Sequence, residues 1–230
     1  MTRSLACLAV LALLCTACGS SMDQNRTSRP AWVRTGAYAP SIRPADFVPA
    51  VTNPYFPLKP GTKFRYFGHK GSKSQFDIVL VTRATKRMLG VAATVVRDTV
   101  FQRRRPIERT NKWYAQDIHG NVWFMGEKAL ARRHGRWVGA GGSWMAGVRG
   151  ARPGIVMRGH PHLGDHYRLE SFRRGGALDQ ARVIALDPLT TLQWSPVAPQ
   201  LVKKVYVAGV GEVSEHGGNQ AFKLVAVMRR

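Results

Sequence analysis

Residues 113–127 constrain this chain more than any other stretch. Trp113, Tyr114, Ala115 and Gln116 run into Asp-Ile-His-Gly-Asn at 117–121 and out again through Val122, Trp123, Phe124 and Met125. A polar, glycine-bearing break between two runs of aromatic and β-branched residues is a hairpin signal. Because side chains alternate along a strand, Trp113, Ala115 and Asp117 share one face, while Tyr114 and Gln116 share the other. The returning strand sets Val122 and Phe124 against Trp123 and Met125. Both faces carry apolar groups, so the hairpin belongs inside a sheet that is covered on one side and shielded on the other. Asp117 is expected to accept hydrogen bonds from the amides of its own turn.

The rest of the chain extends that pattern. Alternating or β-branched runs at 63–67, 75–82, 91–101, 107–116 and 121–126 predict a meander joined by short turns, and 91–101 is the most β-branched of them. Glu127 reads as a strand end, 129–134 as one helical turn or a wide loop, and 135–164 as an ordered, glycine-rich loop, since Trp137 and Trp144 must pack somewhere. Further strands are expected at 165–172, 181–186, 189–194, 201–207, 211–215 and 220–227. The fold class is therefore all-β: an antiparallel meander of about ten strands, forming a curved open sheet or a two-layer sandwich. The curved sheet is preferred because a meander keeps consecutive strands adjacent.

The first residues read as an address. A short basic start with Arg3 is followed by an apolar run from 5 to 14 and then small residues, as in a secretory signal. Thr-Ala-Cys-Gly at 16–19 resembles the lipobox of bacterial lipoproteins, with Cys18 as the acylated residue and Cys15 where a leucine is usual. All three cysteines, Cys7, Cys15 and Cys18, lie in this leader. Cleavage before Cys18 leaves a mature chain without disulfides, stabilised by core burial alone. The expected organisation is a signal peptide at 1–17, a flexible polar and proline-punctuated tether at 18–45 and one β domain at 46–230. Two acyl groups on Cys18 would suffice for stable membrane attachment.

Asn-Pro-Tyr-Phe-Pro-Leu-Lys-Pro-Gly at 53–61, the hairpin at 113–127, Ala-Arg-Pro-Gly-Ile-Val-Met at 151–157 and Tyr-Val-Ala-Gly-Val-Gly-Glu-Val at 206–213 together resemble a family of secreted or lipid-anchored bacterial β-rich proteins. The resemblance covers roughly residues 45 to 215. It implies a β-rich envelope domain and supplies no catalytic residues.

Charge bears on partners. The formal net charge is +22, with 25 arginines and 10 lysines against 13 acidic residues. Such a surface attracts anionic lipid or cell-wall polymer, and an extracytoplasmic address disfavours nucleic acid. His160, His162, Asp165 and His166 cluster in sequence without a zinc-ligand spacing. Ser143 lacks the second glycine of a nucleophile elbow, and the spacing of Asp117, Glu127 and Asp165 gives no reason to pair them as acid and base. No metal site or cofactor is implied. The favoured reading is a binding or structural module whose concave face carries Trp113, Tyr114, Trp123 and Phe124, flanked by Tyr66 and Tyr167, for an anionic or amphipathic envelope ligand. The competing reading is a metal-assisted or carboxylate hydrolase of the cell envelope.

Overall fold

The computed structural model describes residues 29–173 and 176–229. The leader and Cys18 lie outside them. After a 3-10 turn at Pro44–Asp46 come β1 (Phe47–Val48), β2 (Lys63–Lys70), β3 (Lys73–Met88), β4 (Val91–Gln102), β5 (Arg105–Asp117), β6 (Val122–Arg133), β7 (Arg136–Gly139) and β8 (Trp144–Met145). Then follow β9 (Arg152–Met157), β10 (His166–Arg168), β11 (Glu170–Ser171), β12 (Gln180–Leu186), β13 (Leu189–Trp194), β14 (Val202–Val207), β15 (Gly211–Gly217) and β16 (Gln220–Met228).

All described pairings are antiparallel, in the order β10-β12-β13-β14-β15-β16-β2-β3-β4-β5-β6-β9-β11. The last strand, β16, pairs with β2, so the C-terminal meander continues directly into the N-terminal one. The two ends of the sheet then meet through a single segment, 166–171. Its first half pairs with β12, placing His166 opposite Arg182, and its second half pairs with β9, placing Glu170 opposite Pro153. Between them Leu169 donates its N–H to the Asp179 carbonyl. A sheet hydrogen-bonded at both ends to one kinked segment is nearly a closed barrel.

Two expectations are corrected by this arrangement. The antiparallel sheet is curved as expected but curls nearly closed rather than staying open or forming two layers, and the described residues hold sixteen strands rather than about ten. Curvature comes from irregularities in the longest strands, between Val81 and Thr85, Val100 and Phe101, and Trp113 and Tyr114; such bulges bend and twist the strand that carries them. The additional strands β1, β7, β8 and β9 are short and fall in stretches rich in glycine and proline. Glu127 does not end a strand, because β6 runs six residues beyond it.

Two cores hold the barrel. Val81, Val96, Val122, Met157 and Leu189 are almost wholly buried at one end of the interior. That end is closed by the entry segment, where Leu58 donates its N–H to the Val51 carbonyl, and Asn53 donates from Nδ2 to the carbonyls of Gly120 and Arg158, each at 2.9 Å. A second cluster gathers Met88, Trp113, Ala115, Phe124, Met125 and Trp144, with Ile42 and Phe47 packed on it. Residues 29–45, expected from composition to belong to a tether, lie against the barrel. Val33 is buried, Arg34 exchanges backbone hydrogen bonds with the Gln180 amide, and the Tyr38 hydroxyl donates to the Pro153 carbonyl.

Candidate ligand-binding cavity

Alternation along the strands decides what faces the barrel interior. Phe64 and Tyr66 of β2, Asp77 and Val79 of β3, Val96, Asp98 and Val100 of β4, and Lys112 and Tyr114 of β5 all line one cavity of about 910 Å³. Its floor is apolar, formed by Leu58, Phe64, Val96 and Tyr206. Its other end is bounded by hairpin residues, Lys70 to Lys73, Gln102 and Gln220. Pockets of this size accept drug-sized or larger molecules.

Between floor and mouth lies a charged layer. Eight of the chain's 13 acidic residues line the cavity, and among the described residues no arginine does. Lys112 Nζ sits 2.7 Å from Asp98 Oδ2. Asp77 faces Asp98 closely enough to share a proton, and the Oδ1 atoms of both find no other partner. Burial, reinforced by the Asp98 charge, pushes Asp77 up to about 9, so Asp77 keeps that proton at neutral pH. Burial opposes ionisation of Asp98 as well, but the Lys112 ammonium and the hydrogen bond from Asp77 hold it below the usual carboxylate range. Lys204 Nζ makes a second set, 3.0 Å from Glu212 Oε2 and 2.7 Å from Glu215 Oε2. Lys204 holds Glu215 low, whereas burial drives Glu212 up.

Glu127, Glu170 and Asp179 form a third set. None has an ammonium or guanidinium within ion-pair distance among the described residues. Burial raises all three, and the charges of Asp179 and Glu127 add to it at Glu170, which reaches about 8. Trp144 Nε1 donates to Glu170 Oε2 at 2.6 Å. All three line the same cavity, where the Asp179 charge bears on both glutamates and a hydrogen bond with Ser195 partly offsets the rise at Asp179.

No protein-family model matches the chain, and no curated protein is similar to it. A crystallised Bacteroides fragilis protein of YmcC-like fold, thought to be exported, superposes with a TM-score of 0.43 and 11% identity over 76% of this chain and 99% of its own. Likeness at that level says nothing about what this chain binds.

The four aromatic residues expected on a binding face are split by the barrel wall. Tyr114 and Phe124 face the cavity and stack, their ring centroids 5.2 Å apart. Trp113 and Trp123 belong to the opposite face, where Lys86 lies over the Trp113 ring and Trp123 Nε1 donates to Asp117 Oδ2 at 2.9 Å. Of the flanking pair, Tyr66 lines the cavity, and Tyr167 is buried in the core beside it. Asp117 accepts from the amides of His119 and Asn121, as turn chemistry requires. His166 is turned toward Arg34 and Gln180, while His160 and His162 are exposed. The Ser143 hydroxyl accepts from the Ala129 amide and donates to the Ala140 carbonyl. Cys18 lies outside the described residues. The interior carboxylates have a signal in the sequence: Asp98 has the same parity as Val96 and Val100, whereas Arg97 and Thr99 have the other.

Proposed function

We propose that the protein binds an amphipathic molecule inside the barrel, with its apolar part on the floor of Leu58, Phe64, Val96 and Tyr206 and a cationic or hydrogen-bond-donating part among Glu127, Glu170 and Asp179. One observation carries this reading: in a chain with 22 excess positive charges, most of the carboxyls are gathered into one cavity that no described arginine lines. Placing carboxyls out of water is costly unless something pairs with them. Lys112 and Lys204 pair with Asp98, Glu212 and Glu215, which leaves the third set for a ligand. An anionic ligand, suggested by composition, fits the outside of this molecule better than its bore. On the strength of the leader and lipobox, we take the protein to act outside the cytoplasm, held through an acylated Cys18.

A hydrolase would rest on Asp77 and Asp98, one protonated and one ionised. The Lys112 ammonium at 2.7 Å stabilises the ionised member and lowers its basicity, which favours a binding role.

Three probes of equal chain length test the reading by titration below their micelle concentrations: dodecyltrimethylammonium, dodecyl maltoside and dodecyl sulfate. Saturable binding is expected for the first two, reported by tryptophan fluorescence because Trp144 packs edge-on to Phe124 at 5.2 Å. Glu127→Gln should weaken the trimethylammonium probe about tenfold, corresponding to the loss of one charge-assisted contact, and leave the maltoside nearly unchanged. Tighter binding of dodecyl sulfate that is lost on Lys204→Met would overturn the assignment.

A further inference from the structure

Three two-residue hairpins stand side by side at the end of the barrel where the cavity opens, and each carries cations. Gly71 and Ser72 lie between the paired Lys70 and Lys73, Arg103 and Arg104 between the paired Gln102 and Arg105, and His134 and Gly135 between the paired Arg133 and Arg136. Register makes them neighbours, since Gln75 is opposite Gln102 and Glu108 is opposite Ala131. The lysines and arginines of these tips are exposed, and none has a carboxylate within ion-pair distance among the described residues.

The middle hairpin is built against its own local preference. Both of its loop residues are left-handed, Arg103 at φ 48° and Arg104 at φ 64°. A two-residue loop of this kind favours Asn-Gly, and a residue with a Cβ costs about 1–2 kcal/mol in that region. Two arginines at the tip are therefore a feature the fold does not ask for, and backbone strain of this kind marks a place where function is worth seeking.

Behind the tips the outer face carries aromatics. Phe67, Phe76 and Phe101 form a row across three strands, Phe67 is 44% exposed, and Arg65 lies over the Phe76 ring at 4.6 Å. Three residues of strand separate Phe67 from Lys70, about 10 Å at the usual rise. Cations at the edge and aromatic rings one step behind them match the composition of a membrane–water interface. Farther along, Arg97 and Arg109 are exposed on the outer wall. Arginines on a lipid-facing wall would each cost about 2–4 kcal/mol at the bilayer midplane, so this barrel does not span one.

We propose that the hairpin end is a docking face for an anionic phospholipid bilayer, which it meets with the cavity mouth turned toward the lipid. A flat anionic surface engages all three tips at once and covers the aromatic row, whereas a thread-like soluble polyanion would leave that row without a partner. Docking does not require the cavity to be filled, so it stands or fails separately from the ligand.

Flotation of the full chain with vesicles tests it, every arm carrying Cys18→Ser so that no acyl group contributes. The readout is the increment in binding between phosphatidylcholine vesicles and vesicles containing phosphatidylglycerol. Each cation near an anionic surface contributes about 1 kcal/mol, so Arg103→Asn with Arg104→Gly should cut the increment at least tenfold. The same pair should leave thermal stability equal or higher, because it installs the preferred turn. Arg83→Gln with Arg97→Gln removes the same charge from elsewhere on the surface and should change the increment less than twofold. Equal losses in both variants would overturn the proposal in favour of diffuse charge. So would binding of soluble polyphosphate that depends on the hairpin pair while the vesicle increment does not.

Discussion

Glu170 shows how a single buried carboxyl reverses the usual dependence of stability on pH. Unfolded, it releases its proton near pH 4; in the barrel, burial and then the nearby Asp179 and Glu127 keep the proton on until about 8. Between those values the native state holds more protons than the unfolded chain, so stability falls as pH rises through the window. The ceiling is about 1.4 kcal/mol per pH unit for one group. Asp77, pushed to about 9, acts in the same direction. Asp98 and Glu215, held low, contribute stability that is lost only on acidification through their depressed range. The melting temperature should therefore drop between pH 5 and pH 8. Glu170→Gln keeps an acceptor for Trp144 Nε1 and should flatten that drop; an unchanged slope would mean that Glu170 is already ionised in the folded protein.

At the scale of elements, closure rests on the seam between β9 and segment 166–171. Gly154 sits there because an added Cβ would run into the Arg168 carbonyl oxygen and the Leu169 backbone. Gly154→Val should force that segment away from β9, giving faster hydrogen exchange at 166–171 and weaker probe binding, with little change in the β3–β4 hairpin. Uniform protection across the sheet would show that closure tolerates the side chain. The seam was not legible in the sequence, whereas much of the meander was. Strands β3 to β5 announce themselves through long alternating runs broken by turn residues, and 189–194 was read to the residue. β8 and β11 have two residues each, and β9 begins Arg-Pro-Gly, so no period can build up. Whether a curved sheet closes is decided by contacts between residues 154 and 168, which local pattern does not contain. The cavity's aromatic lining was half legible for a related reason: Tyr114 and Phe124 stand on the aromatic hairpin, but which side of it is the inside depends on the sense of curvature.

At the scale of the whole molecule, the chain separates its charges by place: eight of its 13 acidic residues line the cavity, whereas none of the described arginines does. Composition alone showed the excess and not the separation. The proposed anchor and the proposed docking face can be told apart by salt. At about 1 M salt the screening length is about 3 Å, so contacts made by exposed charges are lost while acyl chains hold. The wild-type protein should stay in the membrane fraction through such a wash, and Cys18→Ser should leave it; a wild-type protein released by salt alone would remove the anchor. The row of lysines and arginines on the three hairpins has one more effect. To a cation arriving from bulk water it is a barrier of like charge standing in front of an attractive interior. Laid against an anionic surface, the same row is neutralised, and the barrier falls. A cationic amphiphile would then enter faster where lipid is present than from bulk water, a gate on rate that opens with no part of the protein moving.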